Sequence, residues 1–190
     1  MGVNGALILR QLDEIIPDGE GYKRSIDVTE QIKGSAGAVL TGTTTNAGVG
    51  AIETNYDGIL CDASGTAVLS LKMLVPRDYD AQKDYMAVRF LAKMGGDTDS
   101  AITIDAACFQ KEEATALSSD LDPTVSGAIN TNTENAGWVE VVADGLGLTP
   151  GAGLYWEFTT DAHTSDAIDI YAVEVEYYSD LVYHDTTDRR

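Results

Sequence analysis

The sequence predicts an all-β protein, an antiparallel β-sandwich preceded by an extended N-terminal arm. Apolar residues recur at every second position in several runs, which is the period of a half-buried strand. Turn-forming residues separate the runs, and no stretch shows the period of a long helix. Strands in this rhythm without helical crossovers favour antiparallel pairing in two packed sheets. The strongest runs lie at 66–75, 85–94, 101–110, 138–144, 154–160 and 167–178.

The central runs follow one another through recognisable turns. The run at 66–75 alternates leucine and methionine with polar residues and stops at Pro76, which lacks the N–H that a ladder needs. A polar connection leads to the run at 85–94, and a Gly-Gly-Asp turn leads from there to 101–110. In the run at 154–160 the alternation places Trp156 in the core, and Phe158 has the same parity.

Weaker strand signals lie on either side of these runs. Short apolar stretches predict strands at 25–32, 38–41 and 57–61. A long polar segment at 111–137 contains one further short candidate at 124–129. The chain therefore divides into an arm or irregular edge at 1–50, a sandwich at 51–180 and a tail at 181–190.

The last run changes parity along its length. Ile168 and Ile170 point to one face, whereas Val173 and Val175 occupy the opposite parity. A strand cannot exchange its faces without an extra residue. We therefore predict a β-bulge or a bend between sheets near residues 171–173.

The arm is rich in small polar residues and has only short apolar clusters, so it cannot build a core of its own. We expect it to lie on a larger neighbour. Its predicted partner-binding residues are the members of the apolar clusters, Leu7, Leu9, Ile15 and Ile16.

Net charge excludes one class of partner. The chain carries −19, and residues 96–190 hold 19 acids against three bases. A surface of this sign repels phosphate backbones, so we expect no direct binding of nucleic acid. Solvation of an acidic face, attraction of cations and contact with a basic partner all remain open. Acids and a proline near the N-terminus argue against a signal peptide, and no run is long enough to span a membrane, so we expect synthesis in a cytoplasm.

Cysteine and histidine offer little chemistry. Cys108 has the same parity as the apolar Ile102 and Ile104, which predicts a buried free thiol. A single disulfide bond to Cys61 remains an alternative. We expect the two histidines, His163 and His184, to lie at the surface. No spacing of these residues resembles a zinc site, and we predict no cofactor.

Four glutamates on predicted strands could line one sheet face: Glu140, Glu157, Glu174 and Glu176. Two carboxylates suffice for glycoside hydrolysis. Alternation with apolar residues is equally what a solvated outer face produces, and no nucleophile–base set can be assembled. We therefore predict that the protein is not an enzyme.

Two turns carry aspartates at alternating positions and are the candidate calcium sites. Asp97 and Asp99 lie beside glycines, and Asp120 and Asp122 lie in a second polar turn. Hard oxygen ligands at this spacing can chelate Ca²⁺. Neither turn has the glycine and the distal glutamate of an EF-hand loop, so solvated aspartates are the simpler interpretation.

Several segments together resemble the jelly-roll structural proteins of tailed bacteriophages. The resemblance covers roughly residues 66–178 and is carried by the segments LSLKMLVPRDYDAQKDYMAVRFLAKMGGDTDSAITIDAACFQK, WVEVVADGLGLTPGAGLYWEFTTDA and DAIDIYAVEVEYY. It implies a jelly-roll fold and a capsid decoration, or cement, protein on the outside of an assembled phage head. The implied partner is the major capsid protein, bound by a homo-dimer or homo-trimer made in the host cytoplasm.

Two other functions remain open. A carbohydrate-binding β-sandwich module, stabilised in one version by Ca²⁺, would use exposed tryptophan or tyrosine on a concave face. A hydrolase on the same scaffold would need two acids that converge in a pocket. An exposed aromatic pair would favour the first of these two, and converging acids would favour the second.

Overall fold

The computed structural model describes residues 22–40, 47–62 and 66–180, and β-strands make up nearly all of the regular structure in these ranges. Two single 3-10 turns, Thr29–Gln31 and Ser35–Gly37, are the helical elements of the described chain. No described helix has the length and apolar composition needed to cross a bilayer. The strands are β1 Tyr22–Asp27, β2 Lys33–Gly34, β3 Ala47–Glu53, β4 Tyr56–Cys61, β5 Val68–Leu74, β6 Tyr85–Met94, β7 Ile104–Lys111, β8 Thr124–Ser126, β9 Gly137–Asp144, β10 Gly153–Thr160 and β11 Ile168–Ser179.

The strands form two antiparallel sheets. The larger sheet has the order β3-β4-β11-β6-β9-β8, and β1 also pairs with β11. The smaller sheet has the order β2-β5-β10-β7. The predicted fold class, an all-β antiparallel sandwich, is confirmed.

The core lies between the sheets because each long strand buries alternate residues. In β10 the buried positions include Trp156 and Phe158, as predicted from their parity. Phe158 meets Phe90 of the larger sheet edge to face, with ring centroids 4.9 Å apart. Burying such a side chain stabilises the fold by roughly 1.5–3 kcal/mol, so this aromatic contact helps to hold the two sheets together.

The predicted parity change in the last strand is confirmed. Pairing of β11 with β6 shifts register between Ile170 and Ala172, which makes Tyr171 the extra residue. Before the bulge β11 buries Ile168, and after it β11 buries Val173 in the same core. The bulge thus keeps the inner side of this twelve-residue strand apolar from Ile168 to Tyr177.

The part of residues 1–50 that is described lies in the sandwich. Strand β1 pairs with β11, and β3 pairs with β4 through a hairpin whose turn is Thr54–Asn55. The sequence did not predict β3, because its apolar residues are mostly small and glycines interrupt them. The strand expected at 38–41 is absent from the described residues 38–40. Residues Leu7, Leu9, Ile15 and Ile16 and the tail at 181–190 lie outside the described residues.

Both cysteines are free and buried, as expected for Cys108. Burial raises the pKa of Cys61 and of Cys108 to about 12. The surface position expected for His163 is wrong. Its ring is buried, with Nδ1 3.0 Å from the carbonyl oxygen of Asp161 and Nε2 2.7 Å from that of Asp62. A carbonyl oxygen can only accept, so a ring N–H donates to it and satisfies the buried imidazole. His184 lies outside the described residues.

Candidate functional site: a groove across the smaller sheet

The outer face of the smaller sheet carries a row of three side chains from three strands. Tyr155 of β10 lies directly opposite Lys72 of β5 on one side and opposite Phe109 of β7 on the other. All three belong to the outward parity, since their neighbours Leu71, Trp156 and Cys108 are buried in the core. A period of two therefore brings residues far apart in sequence into one line on the outer face.

A groove of about 800 Å³ runs over this row. The 3-10 turn at Thr29–Gln31 and strand β2 contribute residues on one side, and Leu117, from the segment after β7, contributes on another. Its lining is largely apolar with a few polar groups, which is the usual character of a small-molecule site. The lining residues are Glu30, Gln31, Lys33, Gly37, Ser70, Lys72, Phe109, Lys111, Leu117, Gly153, Leu154 and Tyr155.

The segment after β7 is held in place by hydrogen bonds along the free edge of that strand. Backbone N–H groups of Ser118 and Leu121 donate to carbonyls of β7, and the carboxylate of Asp120 accepts from the N–H of Cys108. These contacts cover the sheet edge and place Leu117, with 58% of its surface exposed, beside the groove. The edge cover therefore also forms part of the groove.

The aromatic residues of the groove contact each other. The ring centroids of Phe109 and Tyr155 lie 6.5 Å apart at an angle of 33°. The hydroxyl of Tyr155 donates to a carboxylate oxygen of Glu157 at 3.4 Å. Gly153 lies two residues before Tyr155 on the same strand, and a Cβ there would make ordinary contacts, the nearest with the carbonyl oxygen of Lys111 at 3.6 Å.

Charged groups in the groove are mainly basic. Lys33, Lys72 and Lys111 line it, and Glu30 is the carboxylate among its lining residues in the described chain. The hydroxyl of Ser70, on β5, donates to the carbonyl oxygen of Gly34 at 2.9 Å. The groove therefore combines apolar ring faces with ammonium groups at its margin.

The four glutamates of the sequence prediction do not share one face. Glu140, Glu174 and Glu176 lie on the outer face of the larger sheet, around the guanidinium of Arg89. Nitrogens of Arg89 approach Glu140 at 2.8 Å and Glu174 at 2.7 Å. Glu157 lies on the smaller sheet instead. Three of the four acids thus form an ion-pair cluster, and the fourth neighbours the groove.

The first candidate calcium turn uses its aspartate oxygens internally. The carboxylate of Asp99 accepts backbone N–H groups of Thr164, Ser165 and Asp166. These hydrogen bonds hold the pKa of Asp99 below its usual range. In return the carboxylate of Asp166 accepts the N–H groups of Thr98 and Asp99, so the two loops brace each other.

The second candidate turn has a similar arrangement. One carboxylate oxygen of Asp120 accepts the N–H groups of Cys108 and Asp122. Asp97 and Asp122 are exposed. Within the described ranges no three His, Cys, Asp or Glu side chains converge in a way that could hold a metal ion.

The sequence pattern did not predict Phe109, Tyr155, Lys72 or Lys111 as a site. Their signal was available only as outward parity: each alternates with a buried residue of the same strand. Parity alone does not show which strands become neighbours, and outward residues on most sheets simply face water. The pairing of β10 with both β5 and β7 brings these residues together.

Comparison with known proteins gave structural likenesses alone. No family model matches the chain, and no curated protein matches it. Among solved structures it is similar to the xylan-binding module CBM15, with a TM-score of 0.47 and 12% identity over 83% of this chain and 97% of that one. It is also similar to the CBM22-1 xylan-binding domain from Paenibacillus barcinonensis Xyn10C, with a TM-score of 0.44 and 12% identity over 84% and 96%. A third is the mannan-recognising module TmCBM27, with a TM-score of 0.40 and 8% identity over 82% and 96%.

Proposed function

We propose that the protein is a carbohydrate-binding β-sandwich module and that the groove of the smaller sheet receives a sugar chain. The observation that carries this proposal is the paired rings of Phe109 and Tyr155 on the floor of a groove of about 800 Å³. Ligand sites in proteins commonly enclose about 300–1,000 Å³, so the groove has room for several sugar units.

The chemistry of the lining suits a sugar. A pyranose ring has apolar C–H faces and a rim of hydroxyl groups, so it needs flat apolar surfaces with polar groups beside them. Tyr155 and Phe109 supply the flat surfaces. Lys72 and Lys111 offer donors, and Glu157 offers acceptor oxygens next to the hydroxyl of Tyr155.

The proposal is one of binding without cleavage. Glycoside hydrolysis generally uses two carboxyl groups that flank the scissile bond. Glu30 is the carboxylate that lines the groove in the described chain, and Glu157 has its carboxylate against the hydroxyl of Tyr155. The ion-pair cluster of Arg89 lies on the other sheet.

Decoration of a phage capsid is the function that the sequence resemblance implied. It relies on Leu7, Leu9, Ile15 and Ile16, which lie outside the described residues. The groove is a feature that a clamp between capsid subunits does not require. We therefore place carbohydrate binding first and let one experiment separate the two functions.

Affinity electrophoresis against a panel of soluble polysaccharides tests the proposal, with titration calorimetry for those that retard the protein. We expect Tyr155→Ala and Phe109→Ala each to weaken binding at least about tenfold, a loss of about 1.4 kcal/mol. Trp138→Ala is the matched control, because Trp138 is 41% exposed and lies on the larger sheet. Circular dichroism and melting curves confirm that each variant is folded.

Two results would contradict the proposal. One is a wild-type protein that no polysaccharide retards. The other is equal retention of the wild type and both groove variants. Co-sedimentation with empty phage heads, undiminished in Tyr155→Ala, would restore the decoration function in its place.

A further inference from the structure

Seven of the nine described lysines and arginines fall into two groups by their contacts. Four of them form salt bridges with carboxylates: Lys23, Arg24, Arg89 and Lys93. All four lie on strands of the larger sheet. Lys23 and Arg24 are on β1, and Arg89 and Lys93 are on β6. In a chain of net charge −19, pairing of a cation with a nearby acid is the expected arrangement.

The three groove lysines depart from this arrangement. Within the described residues, Lys33, Lys72 and Lys111 form no salt bridge. Lys111 Nζ donates to the carbonyl oxygens of Glu112, at 2.9 Å, and of Thr115. These acceptors are neutral, so they orient the ammonium group and leave its charge uncompensated.

Two further carboxylates, those of Glu112 and Glu157, lie close to the groove but are not among its lining residues. The carboxylate of Glu112 accepts from the side chains of Gln110 and Thr149. That of Glu157 accepts from the hydroxyl of Tyr155. Glu30 lines the groove and is exposed. Glu112 and Glu157 keep their negative charge, because their donors are neutral. Among the lining residues themselves, three lysines stand against one carboxylate, so the lining is basic within a strongly acidic protein.

The lysines are placed on both sides of the aromatic pair. Lys72 lies opposite Tyr155 on β5, and Lys111 lies opposite Gly153 on β7, so strand β10 runs between them. Neighbouring strands are about 4.8 Å apart, which puts the two backbones roughly 10 Å from each other. A chain lying on Tyr155 would have one ammonium group at either side.

We propose that the groove binds an anionic polysaccharide, one whose sugar units carry carboxylate or sulfate groups. The inference rests on the proposed function and names its ligand class. The rings of Tyr155 and Phe109 hold the apolar sugar faces, and Lys72 and Lys111 pair with the charged substituents. The net negative charge of the rest of the protein repels polyanions elsewhere, which confines them to this one basic groove.

Pairs of polysaccharides that share a backbone and differ in charge test the inference. Polygalacturonate is compared with its fully methyl-esterified form, and dextran sulfate with dextran. We expect the wild type to bind the charged member of at least one pair ten times or more tighter than the uncharged member. Binding of polygalacturonate identifies carboxylate as the group, and binding of dextran sulfate identifies sulfate.

Variants locate the effect. Lys72→Gln with Lys111→Gln should lower affinity for the charged polymer at least tenfold and leave affinity for an uncharged polymer within twofold. Lys23→Gln with Lys93→Gln is the matched control, because both lysines lie on the larger sheet and pair with its acids. Raising ionic strength from about 0.1 M to about 1 M, which shortens the Debye length from about 10 to about 3 Å, should weaken wild-type binding more than that of the groove variant.

The outcomes separate this inference from the proposed function. Equal affinity for charged and uncharged polymers, with loss in Tyr155→Ala, would overturn the anionic ligand and retain carbohydrate binding. Equal losses in the groove and control lysine variants would also overturn it. No binding to any polymer would overturn both.

Discussion

The outer faces of the two sheets differ in the contacts between their charged and aromatic side chains. On the larger sheet, Arg89 lies between Glu140 and Glu174, and its guanidinium also covers the ring of Trp138 at 4.9 Å. On the smaller sheet, Tyr155 and Phe109 contact each other, and the described residues place no cation over either ring.

The same contrast holds along the rest of the larger face. Lys23 lies 4.6 Å from the ring centroid of Tyr85 and 5.3 Å from that of Tyr178. Lys93 lies 5.7 Å from the ring of Tyr171. On this face, the cations contact both ring faces and carboxylates, so its charged and aromatic side chains are partnered by one another. On the groove face, the described residues place no cation over the rings of Tyr155 and Phe109 and form no salt bridge with Lys72. The proposed function depends on this contrast.

The largest expected effect is on stability, and it appears when a glycine in each sheet is replaced separately by alanine. A Cβ at Gly58 would lie 2.5 Å from the carbonyl oxygen of Ile170 and 2.6 Å from Cδ1 of Ile52, so Gly58→Ala should destabilise the fold by roughly 2–3 kcal/mol. Gly153→Ala meets ordinary contacts and should change stability by less than about 1 kcal/mol. Urea denaturation measures both. Equal midpoints for the two variants would contradict the prediction.

The second prediction compares the cations themselves. Arg89→Met leaves Glu140, Glu174 and Glu176 without their shared cation, and we expect a loss of roughly 1–2 kcal/mol in unfolding free energy. Lys72→Met should stay within about 0.5 kcal/mol of wild type. The Arg89 effect should shrink at high salt, because like-charge repulsion is screened. A Lys72 variant as unstable as the Arg89 variant would remove the contrast between the faces.

The third prediction concerns acid stability at the connection between the sheets. The carboxylate of Asp78 accepts hydrogen bonds from Ser179 at 2.8 Å, Tyr177 and Arg24. Desolvation acts to raise the pKa of Asp78, but these donors outweigh it and the pKa lies below its ordinary value. The charged form is therefore stabilised by folding.

This sign determines the pH range. The contribution of Asp78 is complete above the unfolded-state pKa of about 3.9 and is lost as pH falls through the lower folded-state value. Asp78→Asn should cost roughly 1 kcal/mol at neutral pH. The difference from wild type should shrink below about pH 4, as followed by urea denaturation at each pH. A constant difference down to about pH 2 would contradict the assignment, and Lys72→Gln should show no such change.

The smallest expected effect is a difference in thiol accessibility. Cys61 lies on β4, which pairs on both sides with β3 and β11, whereas Cys108 lies on β7 at the edge of the smaller sheet. Burial raises the pKa of both thiols to about 12, so native protein should react slowly with a thiol reagent. Opening of the edge should expose Cys108 first.

Single-cysteine variants measure this order. Cys61→Ala, which retains Cys108, should be labelled faster than Cys108→Ala, which retains Cys61. Labelling in urea, where both thiols are exposed, provides the reference rate. The reverse order under native conditions would show that β4 opens more readily than the groove edge.

The strands of the sandwich were predictable because core burial leaves a direct trace in the sequence. The run at 85–94 coincides with β6, since Met86, Val88 and Phe90 all enter the core. The bulge at Tyr171 followed from parity alone. Strand β3 was not predicted, because small residues and glycines give it no clear alternation of large apolar and polar residues. Its pairing with β4 in a hairpin is what places it in the sheet.

The candidate site was not predictable in the same way. Phe109 and Tyr155 meet only through the pairing of β7 with β10, a non-local contact that the alternation within each strand does not specify. The aspartate turns attracted notice because their residues are close in sequence, yet Asp99 and Asp120 use their oxygens on backbone N–H groups. His163 was misplaced for a related reason: one of its two carbonyl partners, Asp62, comes from a distant segment, and only the other, Asp161, is local.

Strand β11 has a consequence for the time course of folding. It pairs with β6 along one side and with β4 and β1 along the other, so the larger sheet is organised around the last strand of the described residues. During translation, β1, β4 and β6 emerge from the ribosome long before the strand that joins them. Sheets built on such long-range pairing fold slowly, in milliseconds to seconds. The apolar faces of the earlier strands therefore stay uncovered until β11 has been synthesised up to Ser179. A chaperone would bind the nascent chain during this interval.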